Sequence, residues 1–343
     1  MIKRLITVLV GVLMMGIVAQ AQEQEQGLAS DYEVVVDGLN HPRGFAFTED
    51  GTVYVANVGI GGETEVVGPR GPALIGATGA LEVISPDGEM TTLVPDLPST
   101  DFGFGERSGP QVLLLTDDMI WLGVGESVAN YSPFASSLIG FDRETMLPMH
   151  VIPLFDHEVA NNPDGLEMLN ANPVDLAVDD AGTLWIVDSG CNCVMTWTAA
   201  AGLEVFVVWD DNPVPTAMDF GPDGDLYVSF LSPFPFVPGS ARIDRYDMDG
   251  ALVESYDNMT TVVDVWVDAE GTIHAVEFVD SFGETGWAPN SGRVVTVGDD
   301  GVETLMDGLN FPYRLAMDHE DRMVVSINAA FMEPGTGQII VVE

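Results

Sequence analysis

Residues 215–230 read PTAMDFGPDGDLYVSF. A short apolar run meets a Gly-Pro-Asp-Gly reversal and continues into a second run rich in Tyr and Val. Asp and Gly suit a tight reversal, Asp because it bonds its own backbone and Gly because it accepts positive φ. The phrase recurs as PRGFAFTEDGTVYVAN from Pro42, PQVLLLTDDMIWLGV from Pro110, PVDLAVDDAGTLWIVD from Pro173, VVDVWVDAEGTIHAVE from Val262 and PYRLAMDHEDRMVVSIN from Pro312. Two further short β-like runs follow each of the first five copies, such as ARIDRYD and ALVESYD after the fourth. Six units of four strands predict an all-β protein, a six-bladed β-propeller of four-stranded antiparallel blades.

The sixth copy has a third strand at residues 337–342 and no fourth. Residues 31–37 (DYEVVVD) supply the missing strand from the N-terminal side, closing the ring and removing the open edges that invite aggregation. Ahead of them, Lys3 and Arg4 precede an apolar run over residues 5–18 and then Ala19-Gln20-Ala21. This is the pattern of an export signal. The expected organisation is a signal peptide at 1–21, a flexible polar segment at 22–30 and one propeller over 31–343, secreted or periplasmic, monomeric and without membrane insertion once the leader is removed.

The chain of 343 residues carries 54 Asp and Glu against 11 Lys and Arg, a formal charge of -43, yet is 46% hydrophobic. That apolar content excludes a disordered acidic polymer. The negative field excludes nucleic acid and anionic membranes as partners, because both need a basic footprint. Most of the carboxylates are read as a solvated surface that keeps the protein soluble at high salt.

Loop length separates the two faces of the ring. Turns between first and second strands (TEDG, GPDG) and between third and fourth (SPDGE, DMDG, GDDG) are short. Connections between second and third strands are long in five blades, at residues 58–78, 125–136, 231–239, 278–291 and 329–336. The connection over residues 155–172 opens on the same side and has room for a helical turn. Long loops on a rigid scaffold carry function, so this face is the expected site for a small molecule or protein partner.

The segments GLNHPRGFAF from Gly38, ANNPDG from Ala160, NPVDLAV from Asn172, VPTAMDFGPDGDLYV from Val214, FPFVPGSARIDR from Phe234 and EPGTGQIIVV from Glu333 resemble the ScyD/ScyE family. These are exported bacterial propellers related to NHL-repeat proteins and associated with biosynthesis of the pigment scytonemin. The resemblance spans nearly all of the chain after the leader and implies the same fold and an extracytoplasmic location.

Near the start of the first strands lie Arg43, Gln111, Asp175, Thr216, Asp264 and Arg314. Arg43 and Arg314 fall on adjacent blades after closure. They would either hold one anionic group together or pair with neighbouring carboxylates to knit blades. At the ends of second strands lie Asn57, Asp188, Glu277 and Asn328, oxygen donors of the kind Ca²⁺ takes. The expectation is that Arg43, Asp175, Asp188, Asp264, Glu277, Arg314 and Asn328 converge at the mouth of the central channel. Asn161 and Asp164, in an Asn-Asn-Pro-Asp-Gly turn, either cap local backbone or reach a ligand.

Cys191 and Cys193 form a C-x-C pair open to three readings: reduced thiols, a redox-sensitive bridge or metal ligands. The five histidines lack zinc-site spacing, and DRYDMDG from Asp244 places Arg245 where a calcium loop needs a ligand. There is no G-x-S-x-G elbow and no haem motif. The function read from the sequence is therefore a binding or accessory propeller. The alternative is a calcium-dependent lactonase of the gluconolactonase type, a family that places a Glu where this chain reads HPRG.

Overall fold

In the computed structural model, described over residues 32–68, 71–103, 105–127, 131–284, 286–298 and 301–342, the compact unit that begins at Val34 is almost wholly β. The expected leader at 1–21, the segment 22–30 and Asp31 lie outside the described residues. From innermost strand outward, the second blade runs Pro110–Leu115, Met119–Val124, Ser137–Asp142 and Pro148–Pro153, all antiparallel. The third is Pro173–Val178, Leu184–Asp188, Cys193–Thr198 and Gly202–Val208. The fourth is Pro215–Phe220, Leu226–Phe230, Ala241–Tyr246 and Leu252–Met259, and the fifth is Val262–Val267, Ile273–Glu277, Gly292–Gly298 and Gly301–Leu309.

The sixth blade takes Leu315–Met317, Met323–Ile327 and Gly337–Val341 from the C-terminal end and Val34–Leu39 from the N-terminal end. The ring therefore closes as expected, with a shifted strand: pairing runs Val34 to Ile340, Val36 to Ile339 and Leu39 to Gly337, rather than over residues 31–37. Two bulges let Val36 and Leu39 both turn inward, where they join Phe45, Val53 and Val55 of the first blade in one apolar cluster. Gly337 permits the junction. A Cβ there would lie 2.3 Å from Pro42 Cδ, well inside contact distance.

The first blade corrects another expectation. Its core strands are Gly44–Phe47, Val53–Asn57, Gly71–Ile84 and Met90–Gly103, and the last two run far past the blade. Thr64–Gly68 pairs with the extension of the third strand and Glu106–Ser108 with that of the fourth, so the stretch 58–78 is largely sheet rather than loop. Gly62 and Gly76 allow the extension to fold against its own base, since a Cβ on Gly62 would sit 2.3 Å from Ile75 O.

Apolar surface fills the seams between blades. Leu81 of the first blade shares a cluster with Ile120 and Leu122 of the second, Leu138 of the second with Ile186 of the third, and Trp185 of the third with Val228 of the fourth. Second strands of the third, fourth and fifth blades are buried at every residue, because a neighbouring blade covers each face. Nearer the axis, carboxylates link innermost strands. Asp175 accepts the Met218 N–H at 2.9 Å, Asp219 that of Val267 at 2.7 Å and Asp264 that of Leu315 at 2.6 Å. The helix Leu154–Asn161 follows the second blade and ends at Asn162, whose φ of 42° is left-handed. Among the described residues no helix is long and apolar enough to cross a membrane.

Candidate functional site

The position that decides the site follows the proline, or its equivalent Val262, at the start of each innermost strand. In the second to fifth blades the pairing slips there, between Pro110 and Val112, Pro173 and Asp175, Pro215 and Ala217, and Val262 and Asp264. A slip of this kind leaves one residue outside the ladder and re-aims its side chain. The residues so placed are Gln111, Val174, Thr216 and Val263. With Arg43 and Tyr313 from the remaining blades they line one cavity of about 170 Å³ at the channel mouth.

Two arcs make up its wall. The fifth and sixth blades contribute Phe278, Trp287, Tyr313 and Phe331, with ring centroids of Phe278 and Trp287 5.6 Å apart and those of Trp287 and Phe331 6.2 Å apart. The first to third blades contribute Arg43, Arg107, Gln111, Glu126, Asn172 and Ser189. Gln111 is fixed by donating to Asn172 Oδ1 at 2.7 Å and to Pro173 O at 2.9 Å. Arg43 stands where the arcs meet. It donates to Gln111 Oε1 at 3.1 Å and Ala329 O at 3.3 Å, and its guanidinium lies 5.5 Å from the Tyr313 ring centroid.

One residue further along the strands the channel is plugged. Arg314 Nη1 donates to Asp175 Oδ1 at 2.8 Å and to Asp264 Oδ1 at 3.0 Å. Burial lifts the Asp264 carboxyl above the usual carboxylate range, Arg314 offsets this only in part, and Asp175 adds to it. Burial pulls against the charge of Arg314, but Asp175, Asp264 and Asp219 outweigh it and hold the guanidinium above its ordinary value. Burial likewise pushes Asp219 up to about 6.

The expected convergence is thus divided. Arg43, Gln111 and Thr216 reach the cavity. Asp175, Asp264 and Arg314 sit beneath it as mutual partners, so Arg314 does not share an anion with Arg43. Asp188, Glu277, Asn57 and Asn328 do not gather into a cation shell, because each is taken up locally at a loop. Asp188 Oδ1 accepts the N–H groups of Asn172 and Gly190, and Glu277 accepts from Thr260 and pairs with Arg293. Asn57 bonds Gly59 and Glu82, and Asn328 bonds Asn310 and Thr336. Ca²⁺ needs six to eight oxygens turned to one point, and these four residues do not fit it as a set. No group of three or more His, Cys, Asp or Glu among the described residues is placed to hold a metal.

Asn161 is exposed at the helix end and bonds His157 O, while the buried Asp164 accepts from Leu166 N and from Asn192 Nδ2 at 2.9 Å. Both serve the connection between the second and third blades rather than the cavity. Cys191 and Cys193 are joined in a disulfide, their Cα atoms 5.4 Å apart, within the ordinary range. Close by, Glu158 is buried with no partner for either carboxylate oxygen, and burial together with Asp164 and Asp188 pushes it up to about 7. Burial also lifts Asp188 to about 6, against the N–H groups that hold its Oδ1.

No protein-family model matches the chain, and no curated protein matches it. Solved structures do. A Thermus thermophilus protein described as an oxidoreductase (glucose dehydrogenase) is similar at TM-score 0.57 and 14% identity, over 90% of this chain and 98% of that one. A luciferin-regenerating enzyme is similar at TM-score 0.54 and 11% identity, over 91% and 94%. A protein described as a gluconolactonase is similar at TM-score 0.52 and 14% identity, over 92% and 93%. At such identities the likeness is one of fold, the propeller.

The cavity residues that sequence reasoning missed include Val174, Val263, Tyr313, Phe278, Trp287 and Phe331, besides polar wall residues such as Arg107, Glu126, Asn172 and Ser189. The first three were open to counting: each follows Pro173, Val262 or Pro312, as Arg43 follows Pro42. The aromatic residues stand in long connections or at their edges, where spacing carries no signal of what they face.

Proposed function

We propose that the protein is an exported binding or accessory propeller whose mouth cavity captures a small molecule. The observation that carries the reading is that all six blades send the residue at the start of the innermost strand to a single cavity, closed below by an ion-paired plug. A concave site that joins an aromatic arc to an arc of polar groups suits a small ligand better than the flat face of a protein partner. The leader-like N-terminus and the ScyD/ScyE resemblance support export.

Binding is favoured over catalysis because the ring presents no nucleophile held by a base. Besides Tyr313, the wall's hydroxyls are Thr216, which bonds Val262 O at 2.9 Å and Ser229, Ser189, which bonds Asn172, and Ser108, whose Oγ has no partner among the described residues; none of these three is paired with a base. The calcium-dependent lactonase reading has less support, since the candidate donors are engaged in their own loops.

The test is a thermal-shift screen of small metabolites against the wild type and Val263→Trp, which fills the cavity from the fifth blade. Compounds that stabilise the wild type and not the variant are expected. Compounds that stabilise both equally, or a screen without a hit, would count against the reading.

A further inference from the structure

Arg107, Arg242, Arg245, Arg293, Arg314 and Arg322 each hold a carboxylate. Among the described residues Arg43 and Arg143 hold none; Arg143 bonds Thr116 O away from the mouth, whereas Arg43, in a chain with 54 acidic residues and 11 basic ones, lines the cavity. Its partners are neutral: Gln111 Oε1, Ala329 O and the face of Tyr313. A guanidinium has five N–H donors in a planar fork. Two donations leave the rest of that fork available to an incoming acceptor.

We infer that the cavity takes a monoanionic aryl carboxylate, with the carboxylate on Arg43 and the ring against Trp287, Phe278 and Phe331. This rests on the mouth cavity being the binding site and adds its ligand class. Three features select it. The planar fork matches a carboxylate. The adjoining wall is aromatic, its rings in mutual contact at centroid spacings of 5.6 Å and 6.2 Å, so a flat ring can lie against a continuous aromatic face. Size sets the third: about 170 Å³ is close to the roughly 150 Å³ apolar cavity that accepts benzene, so a single ring with a short acid arm fills it.

Charge sets the upper limit on the anion. Glu106 and Glu126 line the cavity together with Arg107, whose charge Asp101 takes up, and the whole chain is at -43, so a dianion such as a phosphate monoester meets about twice the repulsion of a monoanion. Alignment of Arg43 is supplied by its neighbours, Gln111 being locked to the third blade and Tyr313 lying beneath the guanidinium. Little ordering remains to be done on binding.

The experiment is calorimetric titration of the purified protein with phenylacetate, phenylacetamide, acetate and phenyl phosphate, repeated with Arg43→Gln and Val263→Trp. Phenylacetate is expected to bind at least about 10-fold more tightly than its amide and than phenyl phosphate, and Arg43→Gln is expected to abolish that preference. Acetate is expected to show no measurable binding. If the amide binds as well as the acid, if acetate matches phenylacetate, or if no aryl acid binds, the inference is overturned. The ligand comparison within the wild type stands even if Arg43→Gln folds poorly. Neutral ligands that bind the wild type and not Val263→Trp would leave the cavity reading intact while removing the anion. Aryl acids that bind Val263→Trp unchanged would remove both.

Discussion

Arg314 on the sixth blade and Asp175 on the third meet across the propeller axis, Nη1 to Oδ1 at 2.8 Å. The same nitrogen holds Asp264 of the fifth blade at 3.0 Å, so one cation joins opposite and adjacent blades. Gly44, Val112 and Ala217 stand at the corresponding place in the other blades and leave the axis to this side chain. Removing it strands two buried carboxylates, and breaking a buried pair from one side costs about 3–5 kcal/mol. Arg314→Met should lose stability of that order in urea unfolding at pH 7. The loss should shrink at pH 5, because unpaired buried carboxylates protonate more readily. An equal loss at both pH values would contradict the plug.

Gly337 marks the closure of the ring. Its missing Cβ accommodates Pro42 at 2.3 Å, whereas a Cβ on Gly298 would meet nothing within 4 Å. Overpacking typically costs about 1–3 kcal/mol. Gly337→Ala should destabilise by at least that much and promote aggregation through the loosened closing strand, with Gly298→Ala near neutral. Equal melting temperatures for the two variants would show that the closure is looser than described.

Glu158 is buried, unpartnered and raised from its ordinary 4.5 to about 7. A carboxyl with a raised folded-state pKa favours the folded state most when protonated. Its contribution is therefore fully present below about 4.5 and is lost as pH rises through about 7. Glu158→Gln removes the titration and should gain on the wild type by on the order of 2 kcal/mol between pH 5 and pH 8. A difference in melting temperature that stays flat with pH would contradict this.

The charge of -43 should make stability depend on salt. Repulsion among surface carboxylates is unscreened at low ionic strength, and at molar salt the screening length falls to about 3 Å. Melting temperature should rise steadily from millimolar to molar NaCl. A flat profile would mean that the carboxylates are too dispersed to repel measurably.

The repeat made the fold legible, because a turn with Asp marks every copy and a proline starts five of the six. The closing strand was legible in existence and not in register. In DYEVVVDGL the apolar run allows more than one alignment, and the buried Leu39, opposite Gly337, settles it. The site was half legible. Attention to charge selected Asp175, Asp264 and Arg314, but the slip at the start of the third and fifth innermost strands places Val174 and Val263 at the cavity, where Tyr313 also stands, and the charged residues lie below it. Trp287 was out of reach, since only the short hairpin formed by Phe282–Gly283 and Gly286–Trp287 carries it over the mouth.

The central claim is that ligand enters the mouth cavity, and Trp287 on its wall reports on that directly. The measurement is the change in tryptophan fluorescence when a binding compound is added to the wild type and to Trp287→Phe. The account expects a saturable change in the wild type that disappears in Trp287→Phe, while calorimetry shows that the variant still binds. A change that persists undiminished in Trp287→Phe would place the ligand elsewhere and contradict the account.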